Sequence, residues 1–473
     1  MDIITSIVGM LNDFIWSKLL IATLLALGLY FTLRTKLVQF RLIPEMFRLL
    51  KESPEHKSKD SISSFQAFSI STASRVGTGN MAGVATAIAG GGPGAVFWMW
   101  VIALIGGASS FVESTLAQIY KEKDEKGFFR GGPAYYIEKA LNQRWLGIIF
   151  AILLIICYGF VFNALQANTI TLAFNNSFEM SRGLLGIFLA IVTALVIFGG
   201  VKRIANFTQI VVPVMAIVYI VIAVIVIAMN FTLIPELIGT IVSSAFGFRE
   251  VASGGVGAAI MLGIKRGLFS NEAGMGSVPN AAATADVSHP VKQGLIQTLG
   301  VFVDTIILCS ATAFIILLAG NDTGDLTGIE LLQESLNIHI GGWAGYLISF
   351  AILLFAFSSI IGNYYYGESN IQFINSNKGL MYFYRAVVIS MVLWGSVVGI
   401  DIVWSLADLF MGLMALINLV VIAILGKFAF SALDDYLKQR KAGQNPTFHV
   451  DNIHGLENVE CWGEKGSKKQ ESN

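Results

Sequence analysis

The chain has 473 residues, 55% of them hydrophobic and 13% charged, with a mean hydropathy of +0.69. An ordinary soluble domain carries roughly 25% charged residues, so the composition excludes a water-soluble fold and points to an all-α polytopic membrane protein. The 31 basic and 31 acidic residues cancel, and no basic patch is interleaved with aromatics, which excludes a nucleic-acid partner.

Residues 1–13 show no basic cluster before the first apolar run and no small-residue cleavage site after it, so no removable signal peptide is expected. Crossing ~30 Å of hydrocarbon takes about 20 apolar residues. The first such run is 14–33. Others lie at 65–90, 95–120, 146–174, 183–200, 207–229, 251–286, 294–319, 342–369, 381–399 and 402–426, about eleven spans in all. From 431 the chain is polar and reads as a cytosolic tail.

Basic residues fall in alternate connections: Arg34, Lys36, Arg41, Arg48, Lys51, Lys57 and Lys59, then Lys121 to Arg144, Lys202 with Arg203, Lys292, Lys378 with Arg385, and after Lys427. The opposite connections offer chiefly Arg182 and Arg249. The positive-inside rule therefore places the N-terminus outside and the C-terminus inside, which requires an odd number of spans.

Two spans carry polar and glycine residues at their centres. One reads Ser71-Thr72-Ala73-Ser74-Arg75-Val76-Gly77-Thr78-Gly79-Asn80, the other Gly267-Leu268-Phe269-Ser270-Asn271-Glu272-Ala273-Gly274-Met275-Gly276-Ser277. Both read as broken helices. With the first span set aside they are numbers one and six of ten, the spacing of a five-plus-five inverted repeat. The expected organisation is an N-terminal helix with a basic loop (1–62), two five-helix halves (63–230 and 231–430) and the tail (431–473).

Irregular backbone at membrane depth is tolerated where it is buried or lines a cavity. Half-helix N-termini offer free N–H groups to an anion, and freed carbonyls and hydroxyls suit a cation such as Na⁺. A carboxylate with Na⁺ fits that chemistry. The alternative at the first break is close packing through Gly79 and Gly83 as a small-xxx-small face. The run Gly77-Thr78-Gly79-Asn80 with Gly83 has the wrong spacing for a nucleotide-binding loop and follows no strand.

In span 342–369, Ser358, Ser359 and the Phe355 carbonyl one turn earlier could converge on a small cation, although membrane serines often bond back to their own helix. Charged residues within the spans are Arg75, Glu113, Lys265, Arg266, Glu272, Asp304 and Glu368, each too costly to face lipid. Glu113 is expected to pair with a basic neighbour, and Lys265 and Arg266 to be paired structurally. Asp304 and Glu272 are candidates for ion or proton coupling. No His-Glu-x-x-His or Gly-x-Ser-x-Gly motif suggests an enzyme, and the three separated cysteines, Cys157, Cys309 and Cys461, give neither a disulfide framework nor a metal site.

The segments 63–68, 72–86, 90–100, 129–136 and 166–168 closely resemble the alanine/glycine:cation symporters of prokaryotes. So do 267–283, His289-Pro290 and 300–305, the likeness extending over about 14–430. The resemblance implies a leucine-transporter-like fold of ten helices plus one N-terminal helix. It also implies cotransport of a small neutral amino acid with Na⁺ or H⁺ across the cell membrane. Carried onto this sequence, Thr78, Gly79 and Asn80 would meet the substrate carboxylate. Gln166 and the 269–274 break (Phe269, Ser270, Asn271 and Gly274) would lie near its amino group and side chain. The Na⁺ site would combine the carbonyls of Ala73, Val76 and Phe355 with Ser358 and Ser359. Asn363 stands where the family pattern usually has Trp, and Met275 where many relatives have Gln. A smaller, polar wall at Asn363 would favour glutamine or asparagine beside or above alanine and glycine. A channel or a nutrient-sensing receptor is the alternative from another class.

Overall fold

The computed structural model describes residues 2–53, 61–248, 255–320 and 326–463. Lys57, Lys59, Arg249 and the tail beyond Gly463 lie outside them. Among the described residues, eight helices are long and apolar enough to cross a membrane. In chain order α1 (Ser6–Arg34) is followed by the two halves of the first interrupted span, α2 (Ser64–Arg75) and α3 (Val84–Gly91). Next come α4 (Gly94–Ile119), α5 (Arg144–Phe178), the shorter apolar α6 (Arg182–Ile197) and α7 (Gly200–Met229). The second interrupted span is α8 (Gly255–Asn271) and α9 (Pro279–Ala282). The chain then forms α10 (Pro290–Leu318), α11 (Gly328–Ile340), α12 (Ala344–Ile374), α13 (Lys378–Val397) and α14 (Ile400–Lys441).

Both interrupted spans break where the sequence predicts. Ser63 caps α2 in a reciprocal box with Gln66, each bond 3.1 Å. The helix ends as Val76 turns extended (ψ 94°). At the second break Gly274 and Gly276 take φ +85° and +87°, the left-handed region open to glycine, and Glu272 is held at +58°. π turns at Gly79–Gly83, Ile155–Phe162 and Phe302–Cys309 widen three helices around the same region.

Helix α3 packs on α8, α4 on both α8 and α10, α5 on both α12 and α13, and α6 on α13. The outer faces of α6 and α7 expose Leu184, Ile191, Leu195, Ile210 and Ile217 as a lipid-facing belt.

Three elements depart from the sequence reading. The stretch 320–342 contains the helix α11, whose Leu331, Leu332 and Leu336 are buried. Its mixed polar and apolar content is that of a half-buried helix rather than a connection. Helix α14 runs to Lys441, well beyond the expected end at 426, because Ala432, Leu433 and Tyr436 still pack inward. The polar tail then folds back onto the protein, its Phe448, Ile453 and Trp462 all buried.

Candidate functional site

Every site residue expected from the sequence is buried, and the two breaks approach one another closely. A Cβ on Gly79 would come within 2.9 Å of the Phe269 ring and 3.2 Å of the Ser270 Cα, so only glycine permits that approach. A Cβ on Gly77 would lie 2.2 Å from Ser359 Oγ and 2.7 Å from Gln166 Oε1, placing α5 and α12 against the same turn.

Of the expected cation donors, the Ser359 hydroxyl meets the Val76 carbonyl (3.2 Å) and the Phe355 carbonyl (3.1 Å) at this turn. Ser358 donates to the Phe355 carbonyl at 2.8 Å and sits 3.7 Å from the Met215 sulfur. Ala73 lies one turn before Val76 on α2, where Gly362 of α12 makes its closest approach to Ser74. Backbone carbonyls and hydroxyls are hard neutral oxygens, the donor class that suits an alkali cation.

Thr78 is already engaged. Its N–H (2.9 Å) and its hydroxyl (2.8 Å) both donate to Gln166 Oε1, so a carboxamide oxygen occupies the free end of the first break. A buried half-helix terminus needs an acceptor, and the neutral Gln166 supplies one that a carboxylate can replace. Asn80 accepts from the Gly77 N–H at 3.1 Å and donates to Asp304 Oδ1 at 2.7 Å. Asp304 also accepts from Ser270 (2.7 Å) and Thr305 (2.9 Å), and Asn271 donates to Thr305 at 3.2 Å. Asp304 therefore ties α10 to both breaks. Phe269 lies between Phe162 and Trp404, with ring centroids at 4.7 and 5.0 Å.

The second break is held differently from the sequence expectation. Among the described residues no basic side chain reaches ion-pair distance of Glu113. Its carboxylate accepts from the N–H groups of Gly274 (3.0 Å) and Gly276 (3.1 Å) and from Asn418 Nδ2 (2.7 Å). Unwinding frees those N–H groups, and a carboxylate satisfies two together. Gly274 is thus a structural hinge whose donor is spoken for. Sequence reasoning missed Asn418 and the role of Glu113. The one available signal was a carboxylate amid the small and apolar residues of α4. Lys265 (3.3 Å) and Arg266 (2.7 Å) do pair structurally, with Asp408.

Met275 accepts from the Tyr158 hydroxyl at 3.0 Å. Glu272 accepts from Ser74 (2.8 Å) and Ser277 (2.6 Å), so it bridges the two interrupted spans. Ser74 also lies 2.7 Å from Asn363 Oδ1. The other polar atom of the Asn363 amide has no hydrogen-bond partner among the described residues, although the side chain is fully buried.

Residues 1–450 match the sodium:alanine symporter family. The probable sodium/glutamine symporter GlnT of Bacillus subtilis is 55% identical over 98% of this chain and 96% of that protein. The amino-acid carrier protein AlsT of the same organism is 57% identical over 97% of each. The sodium/alanine symporter AgcS of Methanococcus maripaludis is 37% identical over 92% of this chain and 98% of that protein. The crystal structure of MhsT with L-phenylalanine shares the fold, with a TM-score of 0.54 at 14% identity over 80% of this chain and 96% of that one. With interrupted helices meeting at a buried site and a sequence match over nearly its whole length, the chain belongs to the sodium:alanine symporter family.

Proposed function

We propose that this sodium-coupled amino-acid symporter takes glutamine in preference to alanine. The observation that carries the reading is the fully buried Asn363 amide, of whose two polar atoms only one has a partner. A buried amide atom without a partner costs about 1–3 kcal/mol, and the side-chain amide of a glutamine, which both donates and accepts, would remove that cost. Alanine has none to offer. The 55% identity to a probable sodium/glutamine symporter supports the same preference.

In this reading the substrate carboxylate displaces Gln166 Oε1 from Thr78 and meets the end of the first break at Thr78, Gly79 and Asn80. The freed Gln166 and the wall formed by Phe269, Ser270, Asn271, Gly274 and Met275 enclose the rest. Na⁺ is held by the carbonyls of Ala73, Val76 and Phe355 and the hydroxyls of Ser358 and Ser359, which bonds α2 to α12. The organisation is one N-terminal helix and two five-helix halves (63–230 and 231–430), eleven spans in total. The end of the bundle carrying the basic connections faces the cytosol, with the N-terminus outside and the C-terminus inside.

The test is uptake of labelled glutamine and alanine into proteoliposomes under an inward Na⁺ gradient, with a K⁺ control. Glutamine uptake above alanine, reversed in Asn363→Ser and Asn363→Trp, supports the assignment. Alanine preference in the unmodified protein, or a substrate profile unmoved by both variants, rejects it.

A further inference from the structure

At the end of the bundle that carries the basic connections, the two interrupted spans are pinned together. Ile62, just before α2, bridges Ala285, just after α9, and the Asp286 N–H donates to the Ile62 carbonyl at 2.9 Å. The end of α4 holds the same strip: Gln118 Nε2 donates to the Ala285 carbonyl at 3.0 Å and Lys121 Nζ at 2.9 Å. These contacts close one side of the site, and a path to that side opens only if they part.

The C-terminal segment grips these same residues. The Trp462 indole donates to the Gln118 carbonyl at 2.8 Å, and its ring lies 4.8 Å from Lys121 Nζ. The Phe448 N–H donates to the Ser288 carbonyl and the Ser288 hydroxyl to the Pro446 carbonyl, both at 2.8 Å. The Phe448 ring meets His289 and Trp462 edge-on at 5.2 and 5.3 Å. Farther along, Glu460 pairs with Lys139 at 2.8 Å and Asn458 donates to the Lys139 carbonyl at 2.9 Å. Two buried aromatic anchors thus sit on the carbonyl of Gln118 and on the turn following Asp286, the two supports of the closed strip.

We propose that residues 445–463 form a latch that holds the basic end of the transporter closed, so that releasing it shifts the equilibrium toward the arrangement open on that side. The inference rests on the proposed symport function, in which the site opens to one side of the membrane at a time. A closed end and an open end exchange as two states, and contacts made in the closed state alone bias the populations. The tail adds contacts to this closed arrangement, for it touches Gln118 and Lys121, which hold the strip, and Ser288 and His289 at the start of α10.

The protein carries its own reporter. Cys309 is buried 3.1 Å from Ser270 Oγ and 3.4 Å from Asn80 Nδ2, at the centre of the site. The experiment applies a membrane-impermeant thiol reagent to vesicles from the side bearing the basic connections and follows Cys309 by peptide mapping. The unmodified protein is compared with Phe448→Ala/Trp462→Ala and with a chain ended after Gly443. Labelling about tenfold faster in the double variant, a shift in population of that size, supports the latch, and the shortened chain should follow it. Equal labelling of Cys309 in the double variant and the unmodified protein, including none in either, overturns it. The double variant carries the test if the shortened chain fails to fold. Labelling needs no transport, so absence of Na⁺-driven uptake in a parallel assay would count against the symport reading and leave the latch result standing.

Discussion

Ser359 and Ser358 are adjacent in sequence and unequal in setting. The Ser359 hydroxyl spans the gap between α12 and the Val76 carbonyl, whereas Ser358 bonds within its own helix and lies beside Met215. A hydroxyl bonded to a charged group contributes about 1.5–3 kcal/mol. Ser359→Ala should therefore raise the half-saturating Na⁺ concentration for uptake by roughly 10–100-fold at little change in maximal rate. Ser358→Ala should raise it less, and a larger effect there would refute this ranking. The serine pair and the Phe355 carbonyl were legible in the sequence because they lie at fixed offsets within one helix, whereas the Val76 carbonyl entered only through the family resemblance. The Thr78–Gln166 bond was not legible, since it joins positions 88 residues apart whose approach depends on how α5 meets the first break.

Among the elements, the second interrupted span depends on α4. Glu113 satisfies two N–H groups that unwinding exposes, and Asn418, to which the Tyr136 hydroxyl donates, steadies the carboxylate. Glu113→Gln turns one acceptor oxygen into a donor facing an N–H. It should lower unfolding stability by about 2–3 kcal/mol, the worth of a charge-assisted bond, as read by thermal unfolding in detergent. Stability equal to the unmodified protein would show that the break holds itself.

The joint between α10 and the tail makes a second prediction at this scale. His289 caps α10 by accepting from the Val291 N–H at 3.2 Å through Nδ1, with Nε2 3.2 Å from Asp435. Burial lowers its pKa from the usual 6.5, outweighing the opposing pull of Asp435, while Lys292 adds to the lowering. The ring lies between Tyr436 and Phe448, and its burial there disfavours the charged form. Folded His289 binds fewer protons than unfolded His289, so stability rises with pH in this window. The contribution is full above the unfolded pKa and declines as pH falls below about 6.5. The stability difference between the unmodified protein and His289→Gln should shrink between neutral and mildly acid pH. A difference independent of pH would place the titration elsewhere.

For the whole molecule, the membrane potential and the Na⁺ gradient set what the site can accumulate. One Na⁺ moving down ~100 mV releases about 2.3 kcal/mol, and a tenfold concentration ratio adds about 1.4 kcal/mol. With one ion per substrate, a neutral amino acid should accumulate several-hundred-fold when both act, and about tenfold when an ionophore abolishes the voltage. Accumulation unaffected by the ionophore would mean that no net charge moves.

The sequence by itself determined the membrane class, the two interrupted spans, their spacing of five, and the clustering of basic residues. These follow from composition and from residues a few positions apart, where the cost of a polar group in hydrocarbon leaves few alternatives. Only the tertiary structure decided which acceptor meets each freed backbone group. Glu113, rather than a substrate, takes the N–H groups of the second break, and Gln166 holds Thr78. It also turned an apparently free polar tail into a segment anchored by Phe448 and Trp462. The partners in these bonds lie between 88 and 344 residues apart, and closing such distances depends on the packing of the whole bundle, which local patterns do not encode.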